Sequence, residues 1–133
     1  MPHLTIEYTA NLEAIADIPG LCKKLGETLV ALPGEDGPLF PITGTRVMAR
    51  PAPHFSVADG HPARAFIFIL ARITGGRSDA MKQRAGEALL ADAKAHLAPV
   101  FAQHALGLTL QIEEGQPVYE GKHNNLGGYL APR

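Results

Sequence analysis

The chain has 133 residues, 46% of them hydrophobic and 19% charged, which is enough apolar material for one compact core and too much for the class that stays disordered. Its formal charge is -1 with the basic residues scattered, so it lacks the electrostatic footprint that nucleic acid or an anionic membrane surface demands. The lone Cys22 cannot close an intrachain disulfide and suits a reducing compartment; no run approaches the roughly 18 apolar residues of a spanning helix, and there is no cationic leader before an apolar core. These features predict a cytoplasmic protein with a single domain over 1–133, and the order of the elements that follow gives it an α/β (α+β) fold.

In chain order, Leu4, Ile6 and Tyr8 alternate with His3, Thr5, Glu7 and Thr9, the period-two pattern of a strand with two unlike faces. Leu21, Leu25, Leu29 and Leu32 then recur every three or four positions behind Pro19, which is tolerated at a helix start. A segment rich in Pro and Gly runs from Pro33 to Pro41, and a short strand is expected from about Thr45 to Arg50. The continuous apolar run Ala65-Phe66-Ile67-Phe68-Ile69-Leu70 reads as a central strand covered on both faces. Gly75-Gly76 ends it, Ser78 can cap a second helix, and Met81, Ala85, Leu89, Ala93, Leu97 and Val100 form that helix's inner stripe. Leu106, Leu108, Leu110 and Ile112 alternate again with Gly107, Thr109, Gln111 and Glu113 before an irregular tail holding Asn124-Asn125.

The order strand-helix-strand therefore occurs twice, which predicts two tandem βαβ units, over approximately 2–60 and 61–133. They would form a four-stranded sheet with two helices on one face, and right-handed crossovers wherever paired strands are parallel. Two helices cover one face only, and apolar surface left on the other argues for a homo-oligomer.

Pro2 is the first candidate for chemistry. It could simply begin an edge strand, where its missing N–H does no harm. If Met1 is removed, however, Pro2 becomes a secondary amine pinned by the strand that follows it. The ordinary α-amino pKa is about 7.7 to 8.0, and burial or a nearby cation disfavours the charged form, leaving a base poised near neutrality. Arg46 shares strand parity with Met48 and Arg50, so it either faces solvent with Arg50 or serves a site. Arg77 precedes the cap Ser78, where a cation gains nothing from the helix dipole; glycines, free backbone N–H groups and a guanidinium fork there suit a carboxylate. The six histidines have no metal-binding spacing, and neither a nucleophile-elbow nor a phosphate-loop motif occurs. Glu113-Glu114 reads as a solvated strand end rather than an acid pair, because neighbouring strand residues point to opposite faces.

Taken together, Pro2-His3 opening a strand, Asp17-Ile18-Pro19-Gly20-Leu21, Phe40-Pro41, Gly44-Thr45-Arg46, Ala58-Asp59-Gly60, Gly76-Arg77-Ser78 and Asn124-Asn125 resemble the 5-carboxymethyl-2-hydroxymuconate isomerases of the tautomerase superfamily. The resemblance runs in order over nearly the whole chain. It implies a homotrimer of paired βαβ units, Pro2 as catalytic base, and Arg46 and Arg77 as the substrate-binding arginines, with the subunit origin of either arginine open. It further implies a small carboxylate-bearing dienol from homoprotocatechuate breakdown as substrate, a proton moved from the 2-hydroxyl group to C5, and no metal or organic cofactor. Two departures bear on selectivity: Pro33 to Leu39 is richer in Gly and Pro than the corresponding family segment, and Met48 stands where the family carries a second arginine. Phe55 falls near a family aromatic and could line the pocket or the core. Phenylpyruvate-type tautomerisation, haloacrylate hydration and a non-catalytic trimeric binding module are the alternatives.

Overall fold

The computed structural model describes residues 2–130; Met1 and residues 131–133, which the single-domain expectation also spans, lie outside the described residues. Strand β1 (His3–Thr9) leads through a short 3-10 turn into helix α1 (Ile18–Ala31), and a small hairpin of β2 (Pro33–Gly34) and β3 (Gly37–Pro38) precedes β4 (Arg46–Ala52). Strand β5 (Ala65–Thr74), helix α2 (Asp79–Gln103) and β6 (Leu106–Gly115) complete the second half. The strand-helix-strand order expected from the periodicities is therefore present twice, with the hairpin filling the Pro- and Gly-rich segment.

The main sheet runs β4-β1-β5-β6. Within each half the strands are parallel, β1 with β4 and β5 with β6, whereas β1 and β5 join the halves antiparallel. Helix α1 packs over β4 and α2 over β6, and the helices touch each other, so both lie on one face. Thr28 Oγ1 donates to Asp92 Oδ2 across the helix pair at 2.6 Å, and His96 Nε2 lies 2.8 Å from the Asp17 carbonyl.

Local chemistry explains the helix starts. The Asp17 side chain accepts from the Gly20 N–H at 2.9 Å, with Pro19 in the first turn of α1, so one orphan donor is met and one never exists. Ser78 caps α2 by accepting from Met81 N at 3.2 Å. Helix α2 also carries Pro99 in its interior; this falls near the C-terminal end, and the helix continues to Gln103.

Between helices and sheet, Leu4, Ile6, Leu21, Leu25, Leu29, Ile67, Ile69, Leu89 and Leu97 are essentially inaccessible to solvent. Each such side chain contributes about 1.5 to 3 kcal/mol of burial free energy. Of the stripe expected on α2, Ala85, Leu89, Ala93, Leu97 and Val100 are buried, while Met81 at its first turn is half-buried. The opposite face of the sheet carries no helix. Phe66, Phe68 and Leu70 are half-buried there and Met48 is 51% exposed, so within one chain the central strand is fully covered on one side only.

Tyr8 joins the core at the end of β1, and its hydroxyl donates to Glu13 Oε1 at 2.7 Å. Desolvation, then the hydrogen bond to Glu13 and its negative charge, raise the phenol from its ordinary value to about 12. The folded chain thus holds this proton more tightly than the unfolded one, and its stabilising effect is complete below about pH 10 and is lost as pH rises toward 12. An alkaline unfolding series is expected to show falling stability in that window for the native protein, and a flatter profile for Tyr8→Phe.

Candidate active site

Because β1 and β4 are parallel while β5 runs against them, one end of the sheet gathers the start of β1, the start of β4 and the end of β5. These carry Pro2, Arg46 and the turn leading to Arg77, so topology brings all three sequence-derived candidates to the same end. Pro2 itself is fully buried. It directly precedes His3, which is in register with Arg46 on one side and Arg72 on the other.

Arg46, His3 and Arg72 share the sheet face that lacks helices, since their register partners alternate with the inward Leu4, Val47 and Ala71. Together with Ile73, Thr74, Gly115, Pro117 and Glu120, they line a cavity of about 180 Å³. Arg46 is exposed, and so is Arg50 four residues further along the same face.

Arg77 is placed by the turn before it. Gly76 has φ 106, a left-handed conformation that a side chain would strain. The Arg77 guanidinium then reaches back: Nη1 donates to the Thr74 carbonyl at 3.1 Å, Nη2 donates to the Leu39 carbonyl at 3.2 Å, and its carbon lies 4.7 Å from the centroid of the Phe40 ring. Phe40 is buried and Arg77 half-buried. A guanidinium has five N–H donors in a fixed fork, so these bonds orient the group and leave further donors for a carboxylate. The cavity lined by Arg77, Gly75, Gly76 and Ser78 also takes in Glu35 and Asp36 from the hairpin. Those carboxylates oppose an anion on the hairpin side. Thr74 lines both this cavity and the one holding Arg46.

Other candidates separate from this end. Because β4 runs parallel to β1, Phe55 emerges at the far end, roughly 20 Å of strand away, in an apolar cavity of about 770 Å³ with Thr9, Ala65 and Phe66. Within one chain it does not line the cavity that holds Arg46. Ala58-Asp59-Gly60 forms a tight turn, with φ 54 at Ala58 and φ 84 at Gly60. Asp59 accepts from Arg64 Nε at 3.0 Å and from Nη2 at 2.9 Å; the Arg64 hydrogen bond, then that from the His61 N–H, hold its carboxyl below the usual range. Cys22 is half-buried against the core and burial raises its thiol pKa, the opposite of an activated nucleophile. Glu114 pairs with Lys82 at 2.6 Å, away from Glu113. Arg72 and Glu120 were not singled out by sequence; charge at one outward position of an apolar run was the available signal for Arg72.

The fold is shared with a fused 4-OT, whose wild-type asymmetric trimer has a chain that superposes with a TM-score of 0.55 at 18% identity, over 84% of this chain and 86% of that one. The chain belongs to the 5-carboxymethyl-2-hydroxymuconate isomerase family, whose sequence model matches residues 2–130. A 5-carboxymethyl-2-hydroxymuconate Delta-isomerase of Escherichia coli is 34% identical over 126 residues, which are 95% of this chain and 96% of that one. The crystal structure of a 5-carboxymethyl-2-hydroxymuconate delta-isomerase superposes with a TM-score of 0.90 at 38% identity, over 100% of this chain and 95% of the other. A second, from Deinococcus radiodurans R1, gives 0.84 at 37% identity, over 98% and 95%. The chain is accordingly an isomerase. No described helix is long and apolar enough to cross a membrane.

Proposed function

We propose that this isomerase ketonises 5-carboxymethyl-2-hydroxymuconate, with the amine of Pro2 as proton carrier and Arg46 and Arg77 as carboxylate ligands. The observation that carries the reading is the fully buried Pro2 at the head of β1, with Arg46 and the Arg77 turn at the same end of the sheet. Removal of Met1 frees the Pro2 nitrogen. Burial at the head of β1 disfavours its ammonium form and so favours the neutral amine that a base requires.

The neutral amine takes the proton of the 2-hydroxyl group, leaving a dienolate and a prolinium. The dienolate electrons flow back through the conjugated system, and the prolinium returns the proton at C5, which regenerates the amine and gives the ketone. Arg46 and Arg77 hold carboxylates and stabilise the charge that spreads over the dienolate. The same group carries the proton both ways, so the cycle consumes nothing else.

The apolar surface of Phe66, Phe68, Leu70 and Met48 on the helix-free face supports assembly with further copies of the chain, and β4 and β6 stand as unpaired sheet edges. A homotrimer satisfies both features, and the reaction fits homoprotocatechuate breakdown in the cytoplasm. Initial rates on a panel of enols test the substrate. The tricarboxylate dienol is expected to turn over with the highest kcat/KM, whereas a higher value for phenylenolpyruvate, or for hydration of a haloacrylate, overturns the assignment.

A further inference from the structure

The muconate skeleton carries two carboxylates and the carboxymethyl group a third, whereas Arg46 and Arg77 supply two guanidinium forks. We infer that Arg72 is the third carboxylate ligand and makes the site selective for a tricarboxylate. This rests on the function proposed above. Arg46, His3 and Arg72 form a row across β4, β1 and β5 on one face, which spaces the two arginine backbones by two strand separations, roughly 10 Å. Both side chains line the same cavity.

The groups around Arg72 leave it available. Its register partner Glu113 forms no ion pair among the described residues, and Glu120, the acid that lines the cavity, has its carboxylate 3.0 Å from Lys122 Nζ. Arg72 likewise forms no ion pair among the described residues, so the cavity keeps an excess of positive charge. Gly115 completes the cradle. A Cβ added there would fall on the Arg72 guanidinium, 2.7 Å from its Cζ, so the absent side chain is what lets the fork lie across the end of β6. The planar fork presents paired N–H donors that match a carboxylate.

The test separates the third carboxylate from the first two by calorimetric titration of the full chain with tricarballylate, a tricarboxylate, and glutarate, a dicarboxylate. Arg72→Gln is expected to weaken tricarballylate at least about tenfold while changing glutarate less than about twofold, in line with loss of one charge-assisted contact. Gly115→Ala, which leaves Arg72 in place and displaces its guanidinium, is expected to weaken tricarballylate in the same selective way. In turnover, Arg72→Gln should raise KM for 5-carboxymethyl-2-hydroxymuconate about tenfold with kcat nearly unchanged, and leave KM for 2-hydroxymuconate, which lacks the carboxymethyl group, as it was. Equal weakening of both probes, or no dependence of either on Arg72, overturns the inference. A protein that turns over neither enol yet keeps the Arg72-dependent discrimination contradicts the isomerase reading and leaves the tricarboxylate site standing.

Discussion

Pro2→Ala is expected to lower kcat for ketonisation by about 10²- to 10⁴-fold, the contribution of a well-placed general base. The substitution leaves an amine, so the size of the loss reports placement as well as basicity. The pyrrolidine ring fixes φ and anchors its own nitrogen, and here the ring is fully buried at the head of β1. An alanine terminus loses that packing and can rotate its primary amine away from the substrate. Stopped-flow or steady-state rates, alongside the melting temperature, separate the two effects: the variant should fold and assemble while its turnover collapses. The pH profile adds an independent reading. The rising limb of kcat/KM is set by deprotonation of the amine in the free enzyme, and burial, which disfavours the charged form, should move it to lower pH than an exposed prolyl terminus shows.

Arg77 carries the second large effect. Arg77→Ala removes a carboxylate fork and the groups that brace the pocket wall, since Nη2 holds the Leu39 carbonyl at 3.2 Å and the guanidinium lies over Phe40. A charge-assisted contact contributes about 1.5 to 3 kcal/mol, so kcat/KM is expected to fall about 10- to 150-fold from that loss alone. Arg77→Lys should recover little. A lysine keeps the charge but cannot hold both the Leu39 and Thr74 carbonyls while presenting a planar pair of donors. Steady-state kinetics on both variants check this; full recovery by lysine would mean that charge, and not the oriented fork, is what the site uses.

Much of this geometry was legible in the sequence because the signals are local. Alternation over residues 3–9 and 106–113 reports a half-buried strand directly, and the leucine stripes report the inward faces of both helices. Boundaries shifted where an edge or a cap decided them: β4 ends at Ala52 rather than near Arg50, passing through Pro51 on the sheet's outer strand, where a missing N–H is tolerated. The candidates Pro2, Arg46 and Arg77 were identifiable by residue type, by position and by resemblance. What brings them to one end is the antiparallel pairing of β1 with β5, a long-range choice that no local pattern encodes. The same pairing sets Arg72 beside His3, while the parallel pairing of β4 with β1 carries Phe55 to the opposite end, which explains why sequence reasoning passed over the first and left the second open. The Leu39 carbonyl that orients Arg77 belongs to a segment whose composition signals only a turn.

The most direct test of the Pro2 mechanism compares two preparations that differ in one residue: protein whose intact mass shows a free Pro2 terminus, and protein that retains Met1. Ketonisation of 5-carboxymethyl-2-hydroxymuconate is followed by ultraviolet absorbance. Fast turnover by the first and a rate near that of buffer for the second is the expected result, because retention of Met1 turns the Pro2 nitrogen into a non-basic amide. Equal turnover by both preparations would contradict catalysis by the Pro2 amine.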